Sequence, residues 1–399
     1  MREDDEKCRN EHPRHVAPRL QGGVHKVNDP ASARWEGVLV RFPAPSRDVK
    51  KSYKLGVIGG DGIGPEVTEV ALHVLDACER RFRFRTERTS FPWSGAHFLK
   101  TGERLTPDKL APIRAQDAVL LGAIGHPDVP RGMIERDVVI GLRRGLDLYV
   151  NLRPVILYDD RLSPLRTKGS AEIHMTVIRE NTEDVYAATG ERTAIGTPAE
   201  TATVPMRFTR PGVERILRYA FELASRSERK HLTLVDKANA ITVQEIWREV
   251  FEELGSQYPS VQRDAMYVDA AAMWMVLKPE QFDVIVTTNL FGDILSDLGA
   301  ALAGGLGTAA SGNIHPGRVS VFEPIHGSAP KYAGKGVASP IAAIGALAML
   351  LEHLGEVDAA HAIDSAIRNG LRTGRIKGVE AGLQRTEQVG DVIEQTIGG

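Results

Sequence analysis

The stretch FDVIVTTNLFGDILSDLGAALAGGLG, residues 282–307, decides how the rest of the chain is interpreted. Its apolar run at residues 284–286 predicts a short buried strand, and the small and apolar residues after the polar TTN turn recur at helical spacing. The predicted helix opens with Asp293 and Asp297, four residues apart and therefore on one helical face. Such acids can offset the helix dipole, or they can hold a hard divalent cation where a strand ends. This stretch alone leaves both interpretations open.

Length and composition indicate a large globular protein. The 399 residues, 42% of them hydrophobic, can bury extensive cores, and the length permits two domains. A net charge of −2 argues against a general nucleic-acid-binding surface. Two cysteines, Cys8 and Cys78, are too few for a disulfide framework. No apolar stretch reaches the length of a membrane span and no signal-peptide core is present, so a cytoplasmic location is expected.

Outward from the opening stretch, short apolar strands alternate with amphipathic helices, which predicts an α/β fold with a largely parallel sheet. One helix is expected to bury Val243 and Trp247 and to stop at Gly255. A later strand is expected to end at Asp269. By contrast, the polar composition of residues 1–52 predicts a disordered N-terminal arm.

The segment KLGVIGGDGIGPEV, residues 54–67, predicts a strand, a glycine-rich turn and a helix. It is close to a dinucleotide-binding fingerprint but fails at the third glycine, because Pro65 follows Gly60 and Gly62 at that position. Proline suits the first turn of a helix. The segment therefore predicts a tight strand-to-helix turn and not a Rossmann site.

Five polar side chains near the ends of predicted elements are candidates for chemistry. Arg143, Arg153 and Arg179 can each hold a carboxylate by two parallel hydrogen bonds, so together they suit a small dicarboxylate. Taken singly, each could instead form a structural ion pair. Tyr186 and Lys237 are candidate acid–base groups, the alternatives being a packing aromatic ring and a solvated lysine.

Two further groups of residues suggest a metal and a cofactor. A third acid, Asp269, could join Asp293 and Asp297 in a site for Mg²⁺ or Mn²⁺, which take oxygen ligands. In the HGSAP segment, His326 and Gly327 could direct backbone N–H groups towards the phosphates or the adenine of a cofactor.

Seven segments, in the same order, resemble those of the β-decarboxylating 2-hydroxyacid dehydrogenases, the isocitrate and isopropylmalate dehydrogenase family: GDGIGPE, LDLYVNLRP, RENTEDVY, VDKAN, TTNLFGDILSDL, ASGNI and EPIHGSAP. The resemblance covers about residues 54–390 and is strongest towards the 3-isopropylmalate enzymes. It implies an isopropylmalate dehydrogenase-like two-domain α/β fold, which is not the Rossmann fold. Residues 53–148 and 304–399 would form a large cofactor-binding domain, residues 149–303 a central domain, and the active site would lie in the cleft between them.

The resemblance also implies a homodimer with shared active sites. Lys237 and the metal ligand Asp269 would come from the neighbouring subunit, and the ligands Asp293 and Asp297 from the subunit's own helix. Lys237 would take the hydroxyl proton as hydride leaves C2 for the nicotinamide, and the resulting β-keto acid would lose CO₂. Tyr186 would help to protonate the enol carbon, and the three arginines would hold the malate carboxylates.

Substrate choice in this family lies in the segment before Arg143. Isocitrate enzymes have Ser and Asn where this chain has Asp137 and Val139, and homoisocitrate enzymes can have Arg where it has Ile140. Val139 and Ile140 resemble the apolar pair of isopropylmalate enzymes; burying an alkyl group there contributes ~1.5–3 kcal/mol, whereas a third carboxylate would be unpaired. Arg136 departs from that pattern, because isopropylmalate enzymes have a glutamate there. The alternatives are an isocitrate, homoisocitrate, tartrate or malate enzyme, an enzyme for another 3-alkyl or 3-aryl malate, and a non-catalytic regulatory subunit.

The cofactor loop leaves the choice between NAD and NADP open. Lys331 and Tyr332 replace an aspartate-containing sequence of NAD-using members, and the gained cation favours a 2′-phosphate. Ala338, however, matches the NAD pattern. The residues that the resemblance assigns to cofactor binding are Glu323, His326, Gly327, Ser328, Ala329, Pro330, Lys331, Tyr332, Ser339 and Asn239.

Overall fold

The computed structural model describes residues 51–398, and the predicted arm over residues 1–52 lies outside this range apart from its last two residues. The strands are β1 Ser52–Ile58, β2 Arg85–Ser90, β3 Ala118–Leu121, β4 Val150–Ile156, β5 His174–Glu180, β6 Glu191–Thr193, β7 Thr201–Thr203, β8 His231–Asp236, β9 Gln262–Tyr267, β10 Val284–Thr287, β11 Ala310–Ile314 and β12 Ser320–Pro324.

The α-helices alternate with these strands over most of the chain. They are α1 Gly64–Phe82, α2 Gly95–Thr101, α3 Ala111–Arg114, α4 Met133–Glu135, α5 Gly141–Gly145, α6 Arg210–Arg226, α7 Glu245–Gly255, α8 Val268–Leu277, α9 Asn289–Leu302, α10 Ile341–Leu354, α11 Val357–Arg372 and α12 Thr386–Gly398. A π-helical turn, Arg136–Ile140, joins α4 to α5. Short 3₁₀ turns cover Pro107–Leu110, Asp160–Leu162, Val185–Ala187, Thr242–Gln244, Pro279–Gln281 and Pro330–Tyr332.

Ten of these strands form one sheet in the order β2-β1-β3-β12-β11-β4-β5-β10-β8-β9. Pairings on both flanks are parallel. The three central pairings, β12 with β11, β11 with β4 and β4 with β5, are antiparallel. The predicted α/β class is therefore confirmed, and its largely parallel sheet has an antiparallel centre that the alternation of elements did not predict. Strands β6 and β7 form a separate, exposed two-stranded sheet.

The opening stretch forms the predicted strand–helix unit. β10 lies between β5 and β8 with all its residues buried, as expected for an uninterrupted apolar run. Arg179 on β5 is in register with Thr287, the last residue of β10, so both lie where α9 begins. Gly292 allows the close approach of α9 to β5, since a Cβ at this position would lie 2.5 Å from the Cβ of Arg179.

Helices from both ends of the described chain pack together over the sheet. α1 contacts α10 and α12, and α10 also lies against α11 and strands β11 and β12. The apolar face of α1 is buried, including Val67, Val70 and Cys78, and so is nearly the whole of α10. Although α10 is so apolar, no helix within residues 51–398 is both long enough and apolar enough to cross a bilayer.

Three predicted positions are wrong. Helix α9 begins at Asn289, directly after the cap residue Thr288, so Asp293 lies past its first turn and the two acids do not open the helix. Val243 is not on the inner face of α7 but in the 3₁₀ turn before it, where it is 55% exposed while its neighbour Gln244 is buried. The 3₁₀ turn has three residues per turn, so the 3.6-residue phase of α7 does not extend back to Val243. Asp269 does not end a strand; β9 stops at Tyr267, and Asp269 lies in the first turn of α8.

Candidate active site

A cavity of about 140 Å³ opens where β4, β5, α5 and the start of α9 meet. Its lining is rich in positive charge and in amide and carboxylate groups, with few apolar side chains. The lining residues are Ile140, Arg143, Arg144, Arg153, Arg179, Asn181, Thr182, Tyr186, Ala187, Asn289 and Asp293.

Two of the predicted arginines, Arg153 and Arg179, are buried beside the first turns of α9. Arg153 Nη2 lies 3.3 Å from Asp293 Oδ1, and Arg179 Nη1 donates to the same oxygen. Burial, followed by the charges of Arg153 and Arg143, lowers the pKa of Arg179 to about 9. The guanidinium groups crowd one another, and a bound anion would relieve this repulsion.

The third arginine, Arg143, reaches the cavity from α5. Its Nη2 donates to Glu323 Oε1 over 3.1 Å, and the same oxygen accepts a bond of 2.7 Å from Asn313. Arg143 Nε is buried and has no hydrogen-bond partner within the described part of the chain. A buried N–H without a partner is costly, so this atom fits a carboxylate ligand. Glu323, predicted to bind the cofactor, is already engaged by these two side chains.

Asp293 and Asp297 share one face of α9, as predicted. Tyr186 Oη donates to Asp293 Oδ2 over 2.9 Å, and Arg153 Nη1 lies 3.4 Å from Asp297 Oδ1. Burial opposes ionisation of Asp293, but the charges of Arg179 and Arg153 outweigh it and lower the pKa of this carboxyl. Burial raises the pKa of Asp297, and the charge of Arg153 only partly offsets this.

The two aspartates fit part of a divalent-cation site. Both side chains remain open, 34% for Asp293 and 58% for Asp297, and their oxygens are the ligand type that Mg²⁺ and Mn²⁺ prefer. Among residues 51–398 of a single chain, no group of three His, Cys, Asp or Glu side chains is placed to hold a metal.

Lys237 and Asp269 lie together, but they are not part of the cavity lining. Lys237 Nζ donates to Asp269 Oδ1 over 2.6 Å, and the ammonium group lies 5.8 Å from the ring centroid of Tyr267. The hydrogen bond from Lys237 lowers the pKa of Asp269, whose side chain is 69% exposed. The structure thus brings the predicted residues together in two groups, one in the cavity and one pair outside it.

The predicted apolar wall is divided. Ile140, the last residue of the π-helical turn, lines the cavity, whereas Val139 is not among the lining residues. Asp137 is held by Arg104, whose Nη2 donates to Asp137 Oδ1 over 2.6 Å. The carboxylate of Asp137 is thus paired with Arg104 within the chain.

The HGSAP loop packs on the glycine-rich turn between β1 and α1. Ile63 N–H donates to the carbonyl of Ser328 over 2.8 Å, and a Cβ on Gly62 would lie 1.9 Å from that oxygen. Gly62 also has a φ of +60°, so only glycine suits this position. Pro65 lies in the first turn of α1, which confirms the tight strand-to-helix turn.

The remaining predicted cofactor residues are spread along this loop and beyond it. His326 Nε2 is buried without a hydrogen-bond partner in the described residues, and burial lowers the pKa of this imidazole. Lys331 Nζ lies 4.6 Å from the ring centroid of Tyr332. Ser339 accepts a bond of 3.4 Å from Ile341 N–H. Within the loop, Gly327 is exposed, Ala329 has a φ of +41° and Pro330 begins a 3₁₀ turn. Asn239 lies elsewhere, exposed in the turn after β8. The unpartnered imidazole nitrogen and the close-packed glycine turn fit a nucleotide.

Several lining residues were missed by the sequence analysis. Arg144 donates from Nη2 to the carbonyl of Tyr186 over 3.1 Å, and Asn289 accepts from Arg179 Nε over 2.8 Å. The remaining ones are Asn181, Thr182 and Ala187. Asn181, Thr182 and Ala187 flank predicted residues within RENTEDVY, and Arg144 follows Arg143, so proximity in sequence was the available signal.

Comparisons with known proteins find one family over most of the chain. The profile of the family described as isocitrate/isopropylmalate dehydrogenase matches residues 54–393. A 3-isopropylmalate dehydrogenase from Thermobifida fusca is 46% identical over 350 residues, which are 87% of this chain and 98% of that relative. One from Corynebacterium glutamicum is 50% identical over 318 residues, 79% and 92% of the two chains. The crystal structure of isocitrate dehydrogenase from Methylococcus capsulatus has a TM-score of 0.78 at 37% identity, covering 87% of this chain and 100% of that chain.

Proposed function

Because the chain belongs to the isocitrate/isopropylmalate dehydrogenase family, we propose that it oxidises and decarboxylates a 3-alkylmalate, with 3-isopropylmalate as the preferred substrate. Membership of this family makes it a decarboxylating dehydrogenase. The substrate assignment rests on the cavity, in which four guanidinium groups, the apolar side chain of Ile140 and the carboxylate of Asp293 line one small space.

The arginines bind the two carboxylates of the malate. Arg153 and Arg179 are buried and fixed in place, and Arg143 offers an unpartnered Nε. Bidentate bonds to planar guanidinium groups orient the substrate as well as bind it. Ile140 then lies in the same cavity to receive the alkyl group. A third carboxylate at Ile140 would have no hydrogen-bond donor in that side chain.

Proton transfer is assigned to two residues. Lys237 would take the proton of the C2 hydroxyl during oxidation at C2, for which a bound nicotinamide would supply the hydride acceptor, and Tyr186 would give a proton to C3 after CO₂ has left. The assignment of Tyr186 is supported by its position in the cavity lining, where its hydroxyl lies 2.9 Å from Asp293 Oδ2. Lys237 lies outside the cavity of its own chain, so we assign it to the cavity of a second copy of the chain.

Mg²⁺ or Mn²⁺ would be held by Asp293 and Asp297 together with Asp269 of that second copy. Supporting this, the two aspartates of α9 are open to solvent and a single chain offers no third ligand among its described residues. When bound, the cation supplies a Lewis acid that polarises the oxygen at C2.

A homodimer is supported by an apolar surface on α8 and α9, which pack against each other. Met273 and Leu277 on α8 and Ile294 on α9 are 48%, 56% and 58% exposed. Large apolar side chains grouped in this way mark interaction surfaces. The cavity would then lie in a cleft between a cofactor-binding domain (residues 53–148 and 304–399) and a central domain (residues 149–303).

NAD or NADP is the hydride acceptor. The buried His326 Nε2 and the loop packed on the glycine turn support a nucleotide at this place. Lys331 and Tyr332 favour the 2′-phosphate of NADP, because a cation replaces a carboxylate. Ala338, which is buried, fits the NAD pattern instead.

One observation favours a second candidate, a tricarboxylate such as isocitrate. Arg144 lines the cavity next to Arg143 and is a fourth guanidinium group that could pair with a third carboxylate. Its Nη2 is bonded to the carbonyl of Tyr186, however, which lowers the number of its free donors.

The test is a substrate panel with the full chain, Mg²⁺ and each of NAD and NADP. 3-Isopropylmalate should give a kcat/KM at least about tenfold above that of malate, because a buried alkyl group discriminates by this amount or more. A higher value with isocitrate or homoisocitrate would overturn the substrate assignment. Lys237→Met is the inactive variant for this panel. It should stop oxidation of every substrate without changing the oligomeric state.

A further inference from the structure

Asp184 has a backbone conformation that side-chain-bearing residues rarely adopt. Its φ is +68° and its ψ is −165°, a region that is essentially restricted to glycine. The residue is fully buried, with 0% of its surface exposed. Such strain persists only where surrounding contacts determine it, and it is concentrated at functional sites.

Asp184 is held by hydrogen bonds, two of which are made by its carboxylate. Oδ1 accepts from Val185 N–H over 2.7 Å, and Oδ2 accepts from Leu290 N–H over 2.9 Å. The Asp184 N–H itself donates to the carbonyl of Arg207 over 3.1 Å. One carboxylate therefore begins two elements, the 3₁₀ turn Val185–Ala187 and helix α9.

These two elements carry the two ends of one hydrogen bond. Tyr186 follows Asp184 by two residues, and Asp293 follows Leu290 by three. Tyr186 Oη lies 2.9 Å from Asp293 Oδ2, although Tyr186 is 41% exposed and is not held by burial. A further bond holds the start of α9 to the residue before Asp184, because Asn289 Nδ2 donates to the carbonyl of Glu183 over 3.1 Å.

We propose that Asp184 is a positioning residue for the reaction, because its carboxylate fixes the phenol of Tyr186 relative to α9. The proposal rests on the proposed function. After CO₂ leaves, the enol reacts at C3: a C–H bond forms, the O–H bond of Tyr186 breaks, and the phenolate regains a proton from water. A phenol fixed on one face of the enol delivers the proton to that face only. When the enol is released instead, water protonates both faces.

Two substitutions separate the carboxylate from the backbone strain. Asp184→Gly removes both acceptors, but glycine adopts this φ and ψ freely, so the fold is kept. Asp184→Asn retains one oxygen acceptor, so its activity and its positioning of Tyr186 should lie between those of the wild type and of Asp184→Gly. Asp159→Gly is the matched control, since Asp159 also begins a 3₁₀ turn with its carboxylate, 2.9 Å from Arg161 N–H, and does not line the cavity.

The first measurement uses 3-isopropylmalate in D₂O, with the product reduced at once to fix the configuration at C3. The wild type and Asp159→Gly should give one configuration of the CHD group. Asp184→Gly should give both, with kcat lowered about tenfold or more and KM within about twofold, because a misplaced group costs rate and not substrate binding. A single configuration and an unchanged kcat in Asp184→Gly would overturn the proposal.

The second measurement does not depend on activity. Amide hydrogen exchange of peptides containing Val185 and Leu290 should be faster in Asp184→Gly than in the wild type and in Asp159→Gly. Unchanged exchange would overturn the proposal whatever the activity. Faster exchange in a protein that oxidises no 3-substituted malate would instead support the role of Asp184 in holding Tyr186 and overturn only the proposed function.

Discussion

Arg179 is a buried cation in the lining of the cavity. It is 2% exposed, and burial together with Arg153 and Arg143 lowers its pKa to about 9, so it remains charged at neutral pH. Asp293 offsets part of this charge within the chain. A bound dicarboxylate would offset the remainder, which is why the residue chemistry points to an anionic substrate.

The side chain of Ile140 is proposed to contact the alkyl group of the substrate, and removing it should lower activity on that substrate only. Ile140→Ala should lower kcat/KM for 3-isopropylmalate by roughly 10–200-fold, the range for lost methylene contacts, and leave the value for malate nearly unchanged. Val139→Ala is the matched control, because Val139 is not among the lining residues. Equal losses with both substrates would contradict the assignment of Ile140 to the alkyl group.

Residue types in sequence were sufficient for part of the site. The three arginines, Tyr186 and Asp293 were identified because they lie at or near the ends of predicted elements and carry groups suited to a carboxylate, a proton or a cation, and the structure brings these five together. Asp184 could not be identified, since its φ is visible only in coordinates. The role of Glu323 also depends on the fold: β12 places it against Arg143, 180 positions earlier in the chain.

At the scale of elements, helix α1 allows a prediction about its buried face. Burial, and then the charge of Glu79, raises the pKa of the Cys78 thiol to about 12. In a Cys8→Ser variant, Cys78 should react with a disulfide reagent at pH 9 at least about a hundredfold more slowly than in guanidinium, because the thiolate is the nucleophile.

The sign of the pH dependence follows from the same shift. A folded pKa above the unfolded value of about 8.5 contributes stability that is complete below pH 8.5 and is lost as the pH rises towards 12. The free energy of unfolding relative to Cys78→Ala should therefore fall over that range. Rapid native-state labelling at pH 9 would show that the thiol is accessible and would contradict this account.

Elements with a long, uniform pattern were predicted well, and their junctions were not. β10 and α9 follow directly from the change of period between residues 284 and 302. Val243 was misplaced because a 3₁₀ turn precedes α7, and Asp269 because the apolar residues around it continue from β9 into α8 without a break in composition. Hydrophobicity alone does not mark the residue at which the periodicity of a strand or a 3₁₀ turn gives way to that of an α-helix.

An active site that takes Lys237 and Asp269 from a neighbouring subunit requires two copies of the chain. We predict that Met273→Glu combined with Ile294→Glu gives a monomer by light scattering and abolishes turnover, because charges on the apolar surface of α8 and α9 prevent association. Leu99→Glu is the control, since Leu99 is 47% exposed on α2. An active monomer would contradict the shared site.

The α/β class and the family were predictable from the sequence, because seven ordered segments identify them together. The antiparallel centre of the sheet was not, since strand direction depends on how distant segments pair. The division into residues 53–148 with 304–399 and residues 149–303 stays a prediction.

In the proposed reaction, one catalytic event on a 3-alkylmalate yields both a reduced cofactor and CO₂. The most direct test measures both products from 3-isopropylmalate with the wild-type protein and Mg²⁺. We predict equal amounts of reduced cofactor and CO₂. Both products should be lost in the double variant Tyr186→Phe/Lys237→Met. Both should also be lost when the metal is removed by a chelator. Reduced cofactor without CO₂, or neither product from any 3-alkylmalate, would contradict the account.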